Sequence, residues 1–130
     1  MKRRTPESLV LHAILDYLAA ERVLAFRMQT GVAVFEGRRV VFGTPGMADI
    51  LAFQECNGGF AHDPADHSNP LTFTIPRFDI TPLWIECKAE NGKQSELQKS
   101  FQAQVKDHGH TYLIARSIDD VREFLGGNHG

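Results

Sequence analysis

Hydrophobic and polar positions along the chain predict a helix, several strands, a helix, a strand and a final helix. Val10, Ile14 and Leu18 recur at helical spacing. They follow Thr5-Pro6-Glu7, which is typical of a helix start because it offers a threonine N-cap, a proline at the first position and an acid in the first turn. The first helix is therefore expected to run to about Glu21.

The central part of the chain predicts strands separated by turns. Apolar runs predict strands over residues 23–28, 39–42, 48–53 and 83–88. Residues 32–35 are expected to continue the pairing of the first strand, and Glu36-Gly37 predicts a turn. Residues 54–69 are rich in Gly, Asp, His and Asn and predict a long loop. Residues 71–75 predict a short strand that Pro76 ends.

The last third of the chain predicts a helix, a strand and a second helix. Apolar residues four apart share one face of a helix expected over 95–106, and a strand is expected over 112–115. Residues 117–120 form a capping box that opens a helix to Leu125. The helical connection predicts that strands 83–88 and 112–115 lie parallel. The fold class is therefore α/β, a mixed sheet flanked by helices.

Composition limits the class of protein. The chain has 130 residues, of which 42% are hydrophobic and 23% charged, so we expect one globular domain over residues 1–130 with a core of about 5–125. No apolar run approaches the ~20 residues of a membrane span, and the basic N-terminus lacks the apolar segment of a signal peptide. We therefore expect a cytoplasmic protein without membrane partners. Two cysteines are too few for a disulfide framework.

The net charge constrains how the protein could bind a polyanion. Fourteen basic and 16 acidic residues give a formal charge of −2. That balance excludes a protein that coats nucleic acid through its bulk charge. Binding to a polyanion would need a local basic patch or bound cations.

The segment Trp84-Ile85-Glu86-Cys87-Lys88 places charged groups in an apolar strand. Because alternate side chains share a face, Trp84, Glu86 and Lys88 are expected on one face of the sheet. Ile85 and Cys87 are expected on the other face, where Cys87 has a buried apolar role. Glu86 and Lys88 could form a partly exposed ion pair of little consequence, which taken alone is the simpler interpretation.

Asp49 changes that interpretation. An acid at the end of a strand could satisfy local backbone N–H groups. It could also pair with Glu86 at neighbouring strand ends as a ligand of Mg²⁺, which is held by one or two carboxylates together with water and substrate phosphate. Lys88 would then lie beside a metal-bound water.

Two further residues fit the same site. Glu7 lies in the first turn of the first helix, where an acid also complements the helix dipole. Gln98 lies three residues after Ser95, and a capping box with that serine is sufficient to explain it.

These residues together resemble a known family. The order of motifs resembles the VRR-NUC family of the PD-(D/E)XK nuclease superfamily, and it consists of Glu7, Gly46-x-x-Asp49, Glu86-x-Lys88 and Ser95-x-x-Gln98. Residues 109–115 and 117–121 resemble the closing strand and helix of that family. The resemblance extends from about Glu7 to Leu125. The first motif departs from the family pattern, since Ala48 stands where the family often has proline.

The resemblance implies a restriction-endonuclease-like fold and a Mg²⁺-dependent DNA endonuclease in which Mn²⁺ substitutes. It implies three metal ligands: the carboxylates of Asp49 and Glu86 and the backbone carbonyl of Cys87. Lys88 is implied to orient or activate the attacking water, and Glu7 to reach the metal through water. Gln98 is implied to hold the site or touch the scissile region.

The resemblance also implies partners. The family is linked to structure-selective cleavage of branched DNA, including Holliday junctions, and to symmetric homodimers. Stand-alone members, often from phages, are similar in length. We therefore expect branched or duplex DNA as substrate in replication or repair, a homodimer, and a phage or prophage origin within a bacterial host.

Contacts to DNA phosphates need basic side chains. The best candidates are Arg38, Arg39, Lys93 and Lys99, and Lys2, Arg3 and Arg4 are further ones. An ordinary solvated surface explains most of them individually. Residues 54–82 are longer than a tight hairpin needs, and they are expected to form a loop or arm that contacts a partner subunit or the substrate.

Other interpretations remain open at this stage. One is a non-catalytic nuclease-fold module that binds branched DNA or a protein partner. Another is an unrelated α/β protein in which Glu86 and Lys88 form a surface ion pair. A zinc site is disfavoured because its candidates match no closed four-ligand spacing; they are Cys56, His62, Asp63, Asp66 and His67.

Overall fold

The protein is a mixed α/β domain, and its computed structural model describes residues 5–61 and 75–127. Three helices and six strands are described. In chain order they are α1 (Pro6–Ala20), β1 (Leu24–Arg27), β2 (Gly31–Phe35), β3 (Arg38–Phe42), β4 (Ile50–Ala61), β5 (Ile75–Cys87), α2 (Glu96–Asp107), β6 (Thr111–Ala115) and α3 (Ile118–Gly127).

Four of the strands form the main sheet, in the order β1-β4-β5-β6. β4 is antiparallel to both β1 and β5, whereas β5 and β6 are parallel. The connection from β5 to β6 passes through α2, as parallel strands require. The predicted parallel pairing and the coarse α/β class are therefore confirmed.

The sheet carries a hydrophobic layer on each face. On one face, Leu11, Ile14 and Leu18 of α1 pack with Ile85 and Val121 in the larger core cluster. The smaller cluster on the other face is formed by Ala48, Trp84, Phe101, Val105, Tyr112 and Ile114. Since the residues of β5 alternate between these two layers, the faces predicted for this strand are confirmed.

Helix caps define where α1 and α2 begin. The Thr5 hydroxyl accepts the Ser8 N–H at 3.1 Å, and Pro6 occupies the first turn. Ser95 and Gln98 form a complete capping box at the start of α2. Both starts agree with the sequence prediction, and the second cap fixes the position of Gln98.

Strands β2 and β3 form a separate two-stranded hairpin, Gly31–Phe42, which is called the hairpin below. The expectation that residues 32–35 continue the pairing of the first strand is wrong, because β2 pairs with β3. Glu36 and Gly37 connect them, and both have positive φ values, of 49° and 74°. Paired positive φ values are typical of two-residue hairpin turns, so the predicted turn is confirmed.

The loop predicted from Gln54 is wrong in its first part, because β4 continues to Ala61. The strand pairs with β5, and the register shifts between Asn57 and Phe60. Gly58 and Gly59 lie within that irregularity, so glycines that signal a loop in the sequence occupy a β-bulge. Pro76 does not end a strand either. It lies near the start of β5 opposite Phe60, where proline is tolerated.

Some predictions fall beyond the described residues. These predictions concern the candidate phosphate-binding residues Lys2, Arg3 and Arg4. They also concern residues 62–74, which include most of the zinc candidates. Within residues 5–61 and 75–127, no helix is both long and apolar enough to cross a membrane.

Candidate metal centre

Three carboxylates meet at one edge of the main sheet. Glu7 lies in the first turn of α1, Asp49 directly precedes β4, and Glu86 is the penultimate residue of β5. One oxygen from each carboxylate lies within 4.8 Å of the others. Because Ile50 pairs with Ile85, the beginning of β4 lies beside the end of β5. The antiparallel register thus brings Asp49 and Glu86 together, and we call the three residues the acid cluster.

Asp49 is held by backbone contacts. Its Oδ2 accepts the Cys87 N–H at 2.8 Å, and its carbonyl accepts the Met28 N–H at 2.7 Å. The N–H that the side chain satisfies belongs to β5 and lies 38 residues away, so the expectation of a local backbone partner is wrong. In a strand, the N–H and C=O of a residue point to the same side, so the Cys87 carbonyl is directed toward the Asp49 side of β5.

Glu86 is fully buried and is oriented by two neutral donors. Gln98 Nε2 donates to Glu86 Oε1 at 2.9 Å, and the Tyr112 hydroxyl donates to Oε2 at 3.2 Å. Gln94 in turn donates to the Tyr112 hydroxyl at 3.2 Å. Each oxygen of the Glu86 carboxylate therefore has a fixed partner.

Sequence reasoning missed Tyr112 and Gln94. The parallel pairing was predicted without a register, and the observed register places Tyr112 beside Trp84, which puts its side chain on the same face as Glu86. Gln94 lies in a loop, where periodicity gives no signal.

Lys88 supplies the cation beside the acid cluster. It is 6% exposed, and its Nζ lies 3.6 Å from Glu7 Oε1 and 3.8 Å from Glu86 Oε1. The partly exposed ion pair considered from the sequence is wrong, because Glu86 is 0% exposed and Lys88 nearly so. Burial of these groups makes their electrostatic coupling stronger than at a surface.

The acid cluster carries more negative charge than Lys88 compensates. Burial, and then the neighbouring Asp49 carboxylate, raise the pKa of Glu86 from 4.5 to about 8, although Lys88 and the Tyr112 hydrogen bond act in the opposite direction. Oxygen donors in this arrangement are the ligand set that hard divalent cations prefer. The residues therefore fit a Mg²⁺ or Mn²⁺ ion.

Cys87 is separated from this chemistry. Its side chain is fully buried in the larger core cluster, on the face opposite Glu86. Burial and the nearby carboxylates raise the pKa of its thiol, so the sulfur stays protonated and unreactive. The buried apolar role expected from strand alternation is confirmed.

The glycine of the Gly46-x-x-Asp49 motif permits a close approach to α2. Gly46 has a φ of +80°, and a Cβ at this position would overlap the Leu97 carbonyl and lie 2.8 Å from the Gln98 nitrogen. The loop that leads into Asp49 therefore rests directly on the first turn of α2. This contact links the Asp49 and Gln98 segments.

Arg116 fastens the segment that follows Lys88. One guanidinium nitrogen donates to the carbonyls of Ala89, Glu90 and Gly92 at 2.6, 3.2 and 2.8 Å. The Lys88 N–H itself donates to the Ala115 carbonyl at 3.0 Å. The end of β6 thus positions the chain on both sides of the Lys88 side chain.

The candidate phosphate-binding residues lie outside this network. Arg38 and Arg39 follow the turn of the hairpin, and Lys93 lies in the loop after β5; all three are exposed. Lys99 is exposed on α2 and pairs with Glu96 at 3.3 Å. None of the four joins the hydrogen bonds and ion pairs of the acid cluster in the described part of the chain.

A cavity of about 290 Å³ lies beside Asp49. Arg27, Met28 and Thr30 line it, together with Phe42 from the base of the hairpin. The acid cluster is therefore bordered by a space that other groups could enter from the hairpin side.

Comparisons with protein-family models, curated proteins and solved structures returned no match.

Proposed function

We propose that the protein is a divalent-metal-dependent DNA endonuclease with a restriction-endonuclease-like fold, related to the VRR-NUC family. One observation carries the proposal: the carboxylate oxygens of Glu7, Asp49 and Glu86 lie within 4.8 Å of one another. Lys88 Nζ lies within 4 Å of two of these residues. A buried carboxylate and two partly exposed ones beside a single lysine are costly unless a cation or a proton compensates them.

The donor set assigns roles to the residues. Asp49 and Glu86 would hold a Mg²⁺ or Mn²⁺ ion together with the Cys87 carbonyl, and Glu7 would reach it through water. Such an ion would supply positive charge at a phosphate and lower the pKa of an attacking water. The Lys88 ammonium would donate a hydrogen bond to that water or to a phosphate oxygen, which stabilises the charge that develops during hydrolysis.

The positions of Gln98 and Tyr112 indicate how the site is kept in order. Both donate to the Glu86 carboxylate, so they restrict its rotation. Mutation of groups that orient ligands in this way typically lowers metal affinity or activity by about 10–100-fold. Gln98 and Tyr112 are therefore positioning residues in this proposal.

DNA is the proposed substrate, and a homodimer is the proposed form. With a net charge of −2, the chain must contact phosphates through local cations, for which Arg38, Arg39, Lys93 and Lys99 are the candidates. One acid cluster cuts one strand, so symmetric cleavage of a junction needs two copies related by a two-fold axis. Light scattering at micromolar concentration tests this part of the proposal, which a monomer would contradict.

The decisive experiment is cleavage of labelled duplex, flap and four-way-junction DNA in Mg²⁺, Mn²⁺ or EDTA. We expect metal-dependent cutting by the wild type. In Lys88→Ala and in Asp49→Asn we expect the rate of cutting to fall by about 100-fold or more. Lys106→Ala is the matched control, because it removes an exposed lysine in the last turn of α2 that belongs neither to the acid cluster nor to the candidate phosphate-binding residues.

Absence of cutting in both metals would contradict the enzyme proposal. Tight junction binding without cutting would instead support a non-catalytic module with a nuclease fold. Equal cutting by wild type and Lys88→Ala would show that the assigned residues are wrong.

A further inference from the structure

The hairpin exposes an unusual amount of apolar surface. Val34 is 73% exposed, Phe35 71% and Val41 62%. Its two strands pair with each other and with no other strand in the described part of the chain. An isolated two-stranded hairpin is only marginally stable in water, and clustered exposed apolar side chains mark interaction sites. The hairpin is therefore expected to have a binding partner.

Cations accompany the apolar side chains at the tip. Phe35 lies directly opposite Arg38, and Val34 lies opposite Arg39, so each arginine shares a face with an exposed apolar residue. Neither arginine forms an ion pair with a carboxylate of residues 5–54 or 80–126, the part of the chain whose side chains are described. Aromatic rings stack on nucleobases and guanidinium groups bind phosphates, so this chemistry favours a nucleic acid over a neutral protein surface.

The base of the hairpin lies beside the acid cluster. Phe42 and Asp49 line the same cavity of about 290 Å³. The base is tightly packed, because a Cβ on Gly31 would lie 2.8 Å from the Phe42 ring and one on Gly43 would lie 2.5 Å from the Gln29 carbonyl. A nucleic-acid strand that runs along the hairpin would therefore be directed toward Asp49.

We infer that the hairpin is a wedge for DNA that contains a branch or a junction between single-stranded and double-stranded segments. Phe35 stacks on a base that the branch leaves without a neighbour, and Arg38 and Arg39 hold the flanking phosphates. The inference rests on the proposed function of the acid cluster and assigns the hairpin as the part of the chain that recognises the branch. Uninterrupted duplex offers no exposed base to Phe35, so the wedge discriminates against it.

Binding measurements separate this inference from the question of catalysis. Fluorescence anisotropy with a labelled fork and a labelled duplex, in Ca²⁺ in place of Mg²⁺, gives a Kd for each DNA. We expect Phe35→Ala to raise the Kd for the fork by about tenfold, in line with the loss of one stacked base, and to leave the duplex value within about twofold. Phe35→Trp should keep the fork preference because it keeps an aromatic face.

Two further variants sharpen the test. The double variant Arg38→Ala/Arg39→Ala should weaken binding to both DNAs and flatten the dependence of Kd on salt, because phosphate contacts carry no preference for structure. Leu24→Ala is the matched control. Leu24 is 60% exposed on β1, at the end of that strand away from Asp49, and its loss should change neither Kd.

Three outcomes would overturn the inference. One is an unchanged fork preference in Phe35→Ala, and another is an equal loss on fork and duplex. The third is a change from dimer to monomer in Phe35→Ala, by light scattering, with DNA binding retained, since the hairpin would then bind a second copy of the chain. Failure of the wild type to cleave, with a fork preference that depends on Phe35, would reject the proposed catalysis and leave the wedge in place.

Discussion

The side-chain amide of Gln98 connects a helix cap to Glu86. Its Nε2 donates to Glu86 Oε1 at 2.9 Å, while its Oε1 accepts the Ser95 N–H at 2.8 Å. Because both ends of the amide are engaged, the capping box of α2 also fixes the direction in which Glu86 points. A local helix signal in the sequence thereby becomes part of the acid cluster.

This relationship predicts different effects for Ser95→Ala and Gln98→Ala. Both variants should lose about 1 kcal/mol of stability, because each breaks the capping box. Only Gln98→Ala should also weaken Mn²⁺ binding, by about 10-fold or more, because it frees the Glu86 carboxylate. Chemical denaturation and metal titration measure the two effects. Equal metal affinity in the two variants would show that Gln98 acts only as a cap.

A divalent cation should stabilise the folded protein. At a metal concentration 100 times the Kd, the gain is about 2.7 kcal/mol when only the folded state binds. Asp49→Asn should abolish the rise in Tm on addition of Mg²⁺ or Mn²⁺. Glu96→Gln is the control, because the Glu96 carboxylate is 92% exposed on α2. The same rise in Asp49→Asn as in wild type would mean that the metal binds elsewhere.

Without divalent metal, stability should fall as the pH rises. The pKa of Glu86 is about 8 in the folded protein and 4.5 when the group is unperturbed. Between these values the folded state holds a proton that the unfolded chain has released, so the free energy of unfolding decreases with pH across this window and levels off above it. Urea denaturation in EDTA at pH 5.5, 7 and 8.5 measures the slope.

Glu86→Gln should flatten that pH dependence, because it keeps the shape of the side chain and removes the proton exchange. Glu96→Gln should leave the slope unchanged. If the slope persists in Glu86→Gln, another group is responsible for it.

Gly46→Ala should destabilise the protein more than Gly37→Ala does. Both glycines have positive φ values, of 80° and 74°, and placing alanine there costs roughly 1–2 kcal/mol. At Gly37 an added Cβ meets nothing within 4 Å, whereas at Gly46 it overlaps the Leu97 carbonyl. The difference between the two variants, measured by denaturation, therefore reports the contact between the Asp49 loop and α2. Equal losses would contradict that contact.

Local signals in the sequence predicted the local structure well. Thr5 and Ser95 cap the helices expected of them, and Glu36-Gly37 forms the expected turn, because caps and turns depend on a few neighbouring residues. Alternation along β5 also separated Glu86 from Cys87 correctly. The proximity of Asp49 and Glu86 was expected from their positions at neighbouring strand ends, with Glu7 fitting the same site, and the geometry agrees with that expectation.

Features that depend on distant pairing were not predictable. Gly58 and Gly59 signal a loop locally, but pairing with β5 converts them into a bulge within β4. The separation of β2 from β1 depends on its partner β3 in the same way. Lys88 is buried beside groups distant in the chain, such as Glu7 of α1 at 3.6 Å from its Nζ, and no pattern in residues 83–88 predicts that.

The acid cluster draws its members from α1, from the start of β4 and from the end of β5. Contacts between segments so far apart in the chain form late and slowly compared with local turns and helices. A nascent or partly folded chain therefore contains no assembled cluster. Under the proposed function, phosphodiesterase activity would begin only once the sheet has closed, so a partly folded chain would not cut DNA in the cell that synthesises it.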